Sequence, residues 1–331
     1  MKIGLVGATG LVGGVMLEVL EKYKFENCEL LPAASDKSVG KKIVFNNKKH
    51  KLVSVKELIN MSCDIVLFSA GSAVSLDYAP LFAKKGCFVI DNSSAWRMQK
   101  HIPLIVPEIN AGILKSSDKI IANPNCSTIE LAMVLSPLHN AFKIKRVVVS
   151  TYQSVTGTGY KAVSQLMNER KGIKTEKVYP HPIDMNIIPC GGTFESSGYT
   201  TEEIKLHNET RKILNDKNIQ VTATVVRVPV TGGHSMSVNI EFEQEYTREK
   251  AVRLLSNTQG IVVEDDPNTN LYPMPVNAQG KDEVFVGRIR KDFTQKNSLD
   301  LWISADNLRK GAATNAVQIA QYIVNQGWVK G

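Results

Sequence analysis

Hydrophobic residues recur along this chain in two rhythms, and the change between them divides it. In the first third, short unbroken apolar runs alternate with stretches of helical spacing. Ile3-Gly4-Leu5-Val6, Glu29-Leu30-Leu31, Ile65-Val66-Leu67-Phe68 and Phe88-Val89-Ile90 read as strands. Between the first two, Leu11, Val12, Val15, Met16, Val19 and Leu20 fall on one side of a helix over 11–23, and a second helical pattern covers 74–85. Strands that are apolar on both faces and separated by helices predict a parallel sheet covered on both sides.

The rhythm then changes. Val147 to Tyr152 and Val221 to Val228 read as strands, while Met236, Val238, Ile240 and Phe242 alternate with Ser237, Asn239, Glu241 and Glu243. A period of two marks a half-exposed antiparallel strand. The second part is therefore expected to be α+β, with a mostly antiparallel sheet open on one face. A last helix over 308–325 carries Leu308, Ala312, Ala316, Ile319, Ala320 and Ile323 on one stripe. The break between the parts falls near residue 125.

Composition narrows the function classes. The chain has 331 residues, 43% hydrophobic and 22% charged, which suits a folded globular protein. No apolar run approaches the ~18 residues a membrane helix needs, so no membrane partner is expected. Met1-Lys2-Ile3-Gly4 leads straight into a strand pattern, so no secretory signal is expected. The net charge is +8, with the densest clusters at Lys48-Lys49-His50-Lys51 and Arg288-Ile289-Arg290-Lys291. Neither has the interleaved aromatics of a single-strand binder, so they read as solvated faces and no nucleic acid is expected. The positive excess suits small anionic ligands. Five cysteines, odd in number and without a C-x-x-C pair, argue against a disulfide framework and a metal site. They fit a reducing cytoplasm.

Two segments carry candidate chemistry. Gly7-Ala8-Thr9-Gly10-Leu11-Val12-Gly13 lies between the first strand and the first helix. Helix-end amides bind phosphate, and glycine lets the backbone approach it. The segment after the second strand, Ala34-Ser35-Asp36-Lys37-Ser38, should choose the cofactor. Asp36 argues for NAD; Ser35, Lys37 and Ser38 argue for NADP, which the balance favours. The other segment is Asn123-Pro124-Asn125-Cys126-Ser127-Thr128, where a strand gives way to a helix. A helix N-terminus lowers a thiol pKa and can hold an oxyanion, so Cys126 is the candidate nucleophile and a thiolate is expected there. Cys63 and Cys87 read as buried and inert. His234, delivered by Thr231-Gly232-Gly233 to a strand start, is a candidate acid/base.

Together these residues resemble bacterial aspartate-semialdehyde dehydrogenase over Met1 to about Gln326. The likeness rests on the glycine loop, Asp91-Asn92-Ser93-Ser94-Ala95-Trp96-Arg97-Met98, the Cys126 segment and Tyr152-Gln153-Ser154-Val155-Thr156-Gly157. It continues through Gly198-Tyr199-Thr200-Thr201-Glu202-Glu203-Ile204-Lys205, Arg227-Val228-Pro229-Val230, Gly233-His234-Ser235 and Asp306-Asn307-Leu308-Arg309-Lys310-Gly311-Ala312-Ala313.

The resemblance implies an α/β fold: a Rossmann-like NADP-binding domain (1–125 and 308–331) and an α+β catalytic and dimerisation domain (126–307). It implies reversible reductive dephosphorylation of L-aspartyl 4-phosphate to L-aspartate 4-semialdehyde, through a cysteine thioester. The implied pathway would be lysine, threonine and methionine biosynthesis, including the diaminopimelate branch. Cys126 would be the nucleophile, His234 the acid/base, and Gln153 would orient the substrate. Arg227 would bind the α-carboxylate and Glu202 the α-amino group. Arg97, Asn125 and Lys205 would bind phosphate. Gly7, Thr9, Gly10, Leu11, Val12, Ser35, Lys37, Ser38, Thr156, Gly157 and Asn307 would line the NADP site. A homodimer through the open sheet and a cytoplasmic location are also implied.

Arginine's planar fork suits a carboxylate, and a thiolate can displace phosphate from an acyl phosphate. Two departures stand out: Thr158 where the family has a small apolar residue, and Cys190-Gly191-Gly192 where a bulkier pair is expected. The alternatives are an N-acetyl-glutamyl-phosphate reductase and a non-catalytic nucleotide-binding relative.

Overall fold

A computed structural model describes residues 1–23, 25, 28–174 and 176–329. Residues 330 and 331, the end of the expected cofactor-domain segment, lie outside the described residues. The chain divides into two units, Met1–Asn125 with Ala312–Gly331, and Cys126–Gly311.

The first unit alternates strand and helix. Its elements are β1 (Lys2–Val6), α1 (Leu11–Lys22), β2 (Glu29–Ala33), β3 (Lys42–Phe45), β4 (Lys48–Lys51) and α2 (Val55–Ile59). They continue as β5 (Ile65–Phe68), α3 (Ser72–Lys84), β6 (Phe88–Asp91), α4 (Pro107–Asn110) and β7 (Ile120–Ala122). Five strands form a parallel sheet in the order β2-β1-β5-β6-β7. The order reverses direction between β1 and β5, the point at which such sheets leave a crevice at their carboxyl ends. Every residue of β5 and β6 is buried, which is why those runs read as uninterrupted apolar sequence.

The sequence reading passed over the short helices α2 and α4 and a hairpin here. β3 and β4 pair antiparallel as a hairpin whose turn residues, Asn46 and Asn47, both have positive φ. Asparagine tolerates that left-handed geometry, so an Asn-Asn pair between two short runs was the available signal. The expected solvated face at Lys48 to Lys51 is this edge strand, three of whose residues are exposed.

The second unit holds α5 (Cys126–Phe142), β8 (Ile144–Gln153), α6 (Tyr160–Arg170), α7 (Thr201–Ile213), β9 (Gln220–Arg227) and β10 (His234–Phe242). It continues with α8 (Arg248–Ser256), β11 (Ile261–Val263), α9 (Pro275–Ala278), β12 (Val284–Lys291) and β13 (Ser298–Ala305). Its six strands run β11-β12-β13-β10-β8-β9. The three central pairings are antiparallel and the two outermost, β11 with β12 and β8 with β9, are parallel. Along β10, Val238, Ile240 and Phe242 are buried while Ser237, Asn239 and Glu241 keep solvent access, as the alternation predicts. Helix α5 is buried almost all round, packed against α7, α8 and the sheet.

The chain then returns to the first unit through α10 (Thr314–Asn325), whose Ala316, Val317, Ile319, Ala320 and Ile323 enter the same core as Ile3, Leu5, Val19 and Leu20. Asn315 anchors it by donating to Asn123 Oδ1 at 2.7 Å and to the Ile105 carbonyl at 2.9 Å. No helix among the described residues is long and apolar enough to cross a membrane.

Candidate active site

In the first unit, the glycine loop follows β1 and the Ser35–Ser38 segment follows β2. The strands are parallel neighbours, so both segments lie at the same carboxyl edge. Gly7 has φ +86°, and a Cβ there would lie 2.3 Å from the Ser69 carbonyl oxygen, at the end of β5. A Cβ at Gly13 would lie 2.2 Å from the Gly7 oxygen. The first and third glycines of the motif are thus fixed by backbone contacts. The middle one, Gly10, precedes α1 without any side-chain cap, and the first turn of α1 has no acid. Uncapped amides without a neighbouring negative charge fit a phosphate group. Thr9 is exposed and Leu11 and Val12 are half-buried. Ser35, Asp36 and Lys37 are exposed and Ser38 half-buried, in a short helical turn.

Arg97 belongs to the same edge. It is buried, donating from Nε to the Asn123 carbonyl at 3.0 Å and from Nη2 to the Asn92 carbonyl at 2.9 Å. It is therefore not a loose surface cation. Asn125 is also buried.

In the second unit the strand ends converge. Cys126 opens α5, Gln153 ends β8, Arg227 ends β9 and His234 begins β10. Since β10 is antiparallel to β8 and β8 parallel to β9, this start and these two ends share one edge of the sheet. Cys126 Sγ lies 3.4 Å from His234 Nε2, and the Gln153 amide nitrogen lies 3.4 Å from the same ring atom. The Thr151 hydroxyl donates to Gln153 Oε1 at 3.1 Å, which turns the amide nitrogen toward His234.

The ring has a backbone partner for each tautomer. The Ser154 amide donates to Nδ1 at 3.0 Å, which suits a bare Nδ1. The Gly233 carbonyl favours the protonated ring. Nε2 can therefore face the sulfur as donor or acceptor.

Arg227 is buried and donates to the Ser154 carbonyl at 3.3 Å. Gly157 borders both groups: a Cβ there would lie 3.0 Å from Arg227 Nη1 and 3.3 Å from His234 Nε2. Thr156 donates to Asn307 Oδ1 at 3.1 Å, so these two predicted positions meet. Glu202 and Lys205 pair with each other across one turn of α7. The resemblance gives them separate ligands and does not foresee this contact.

Charge in the site departs from expectation. A helix N-terminus was expected to favour a thiolate, yet the Cys126 thiol is pushed up to about 12. Burial is the main cause, then the neighbouring acidic groups Glu130 and Glu202, with Arg227 opposing. The His234 ring is pushed down to about 3, by burial first and Arg227 second. The resting pair is thus neutral thiol and neutral imidazole.

Ser154 is the residue that sequence reasoning left without a role. Its amide holds His234, its carbonyl holds Arg227, and its hydroxyl meets Thr156 at 2.7 Å. Its place directly after Gln153 was the available signal. The structure also explains Gly191 and Gly192. A Cβ on Gly191 would lie 2.5 Å from Val225 and 3.0 Å from Glu202, and one on Gly192 would lie 2.1 Å from the Thr201 hydroxyl. Nothing larger fits. Thr158, the other departure, accepts the Tyr179 hydroxyl hydrogen at 2.8 Å.

Comparison with known proteins follows the same division. The family described as "Semialdehyde dehydrogenase, NAD binding domain" matches residues 2–117, and "Semialdehyde dehydrogenase, dimerisation domain" matches 135–310. The chain is 49% identical to an aspartate-semialdehyde dehydrogenase of Aquifex aeolicus (strain VF5), over 99% of each chain. Among solved structures it is similar to aspartate semialdehyde dehydrogenase II of Vibrio cholerae, complexed with ASA: TM-score 0.93, 41% identity, 98% of both chains covered. The Candida albicans aspartate semialdehyde dehydrogenase with NADP matches with TM-score 0.78 at 25% identity, over 99% of both chains.

Proposed function

The chain belongs to the aspartate-semialdehyde dehydrogenase family, and from that premise we propose that it interconverts L-aspartyl 4-phosphate and L-aspartate 4-semialdehyde, with NADP, in the cytoplasm, as a homodimer. The observation that carries this reading is the sheet edge where buried His234, Gln153 and Arg227 meet the half-buried Cys126, with 3.4 Å between Sγ and Nε2.

The thiol is neutral at rest, so attack begins with proton transfer from Sγ to Nε2. The Gly233 carbonyl supports the charged ring. The sulfur then adds to the acyl carbon while the Gln153 amide donates to the carbonyl oxygen. Phosphate leaves, taking the proton from Nε2, and the acyl group stays on Cys126 as a thioester. The nicotinamide cofactor, when bound, supplies or accepts the hydride. The Gln153 amide donates to the negative oxygen that forms when the thioester is reduced, expulsion of the sulfur frees the aldehyde, and one proton from solvent, passed through His234 Nε2, restores the thiol.

Arg227 offers its remaining donors to the α-carboxylate. Glu202 takes the α-ammonium, exchanging Lys205 for the substrate's cation. Lys205, with Arg97 and Asn125 of the family motifs, is assigned to phosphate. Thr156, Gly157 and Asn307, with the glycine loop and Ser35, Lys37 and Ser38, are assigned to NADP. The uncapped end of α1 and the exposed Lys37 support that choice. The dimer is supported by the half-bare sheet face carrying Tyr152 and Trp302, whose rings lie 5.3 Å apart.

Initial-rate absorbance tests the reading. NADPH formation should require L-aspartate semialdehyde, phosphate and NADP together. Activity that persists without phosphate, or that is absent with all three, overturns it.

A further inference from the structure

Glu130 has no role in the chemistry above, yet it lies one helical turn after the nucleophile. Both residues project from the same face of α5, four positions apart. Glu130 is fully buried, and neither carboxyl oxygen has a hydrogen-bond partner among the described residues. Gly311 joins the two groups. A Cβ on it would lie 2.9 Å from Cys126 Cβ and 3.0 Å from Glu130 Oε1. Thiol and carboxyl therefore border the same few ångströms of backbone.

An unpaired carboxylate in such a place is costly, so the acid form is favoured. The surroundings reinforce this. Asp306, directly after β13, accepts backbone hydrogens from Gly280, Leu308 and Arg309. Burial first, and the nearby Asp306 carboxylate second, hold the Glu130 carboxyl well above the usual carboxylate range. Other charged groups act mainly on the thiol: Glu202 from α7 and Arg227 from β9, beside His234. Lys310 is the buried cation in the turn that carries Gly311.

We propose that Glu130 is a positioning residue that sets the charge of the nucleophile: thiol and carboxyl share room for one negative charge, and Cys126 ionises readily only while Glu130 keeps its proton. Two acids coupled this way titrate as a pair, and ionising one suppresses the other. The proton Glu130 retains is what makes its helix turn neutral toward the sulfur and the incoming phosphate.

The inference rests on Cys126 being the nucleophile. Its test therefore uses alkylation, which needs neither substrate nor cofactor. The rate of Cys126 modification by iodoacetamide is followed from pH 6 to 10, with peptide mapping to locate the label, in the full chain and in Glu130→Gln. The neutral side chain removes the competing charge. Near pH 6–7, where Glu130 keeps its proton, the two rates should agree; toward pH 10, where the native carboxyl gives up its proton, the variant should react about threefold faster. Superimposable profiles overturn the proposal. Label on another cysteine instead of Cys126 overturns the functional reading that it rests on.

Should Glu130→Gln not fold, Glu130→Met gives the same comparison and the same expected direction. Difference infrared spectroscopy supplies an independent readout. The native chain should show a carboxylic-acid carbonyl band at neutral pH that the variant lacks; its absence from the native chain also overturns the proposal.

Discussion

Two helices in this molecule start directly after a strand segment, and they treat charge in opposite ways. Helix α1 begins at Leu11 behind an uncapped Gly10, with exposed Thr9 beside it. Helix α5 begins at Cys126, packed among His234, Glu130 and Gly311. At the first, backbone amides face a place that a phosphate can reach. At the second, the same kind of amides act on a thiol, yet the thiol is pushed up to about 12. Magnitudes decide between these effects. A helix end contributes about 0.3–1 kcal/mol, up to about 2 in favourable geometry. The rise of the Cys126 thiol from 9.0 to about 12 is on the order of 4 kcal/mol. Burial wins at α5. The same motif, a helix N-terminus after a strand, therefore has no chemical meaning until its surroundings are known.

The largest expected effect removes the buried end altogether. Cys126→Ala should lower kcat/KM by about 10^4-fold or more, with the fold retained by circular dichroism. A loss under tenfold would mean that the sulfur is not the nucleophile.

Next is acid stability. The His234 ring stays neutral in the fold down to about 3, whereas the unfolded chain protonates it near 6.5. Between those values the unfolded state binds more protons, so stability falls as pH drops through that window. The loss is on the order of 5 kcal/mol across it. His234→Asn should flatten that slope in melts taken at several pH values. Equal slopes for the two proteins would show that the ring is not held neutral.

At α1 the demand is steric. Gly7→Ala places a Cβ against the Ser69 carbonyl in a positive-φ conformation. It should destabilise the fold by about 3 kcal/mol, read from urea midpoints. A change under about 0.5 kcal/mol would show that the loop can relax.

The smallest effect separates the exposed end from the buried one. Lys37→Ala should reduce the NADP-to-NAD preference in kcat/KM about tenfold, and added salt should weaken NADP binding several-fold. Alkylation of Cys126 by neutral iodoacetamide should barely respond to the same salt. Equal salt sensitivity at both ends would erase the contrast.

Much of this was legible in residue order. Unbroken apolar runs gave the parallel sheet, because strands buried on both faces carry no polar positions. Alternation gave the half-open sheet around β10. The glycine spacing located the candidate phosphate loop, and the positive φ at Gly7 and the close packing of Gly13 explain why those positions are glycine. Cys126 and His234 could be named because each stands at a helix or strand start, where reactive groups collect; Gln153 and Arg227 came only with the family resemblance. The parallel pairings of β8 with β9 and β11 with β12 were not legible, since partner choice between distant strands leaves no local periodicity. The Glu202–Lys205 pair was also missed. Spacing brings them to neighbouring turns, but it does not say whether they face each other or separate ligands.

The sequence by itself determined which residues can do chemistry and which elements carry them, because backbone geometry and hydrophobic period are local properties. Only the tertiary structure decided the charge state of those residues. Whether Cys126 rests as thiol or thiolate, whether His234 is neutral, and whether Glu130 keeps its proton depend on desolvation. To desolvation are added the charges of Asp306, Arg227 and Glu202, which lie far away along the chain and reach these groups only once it has folded.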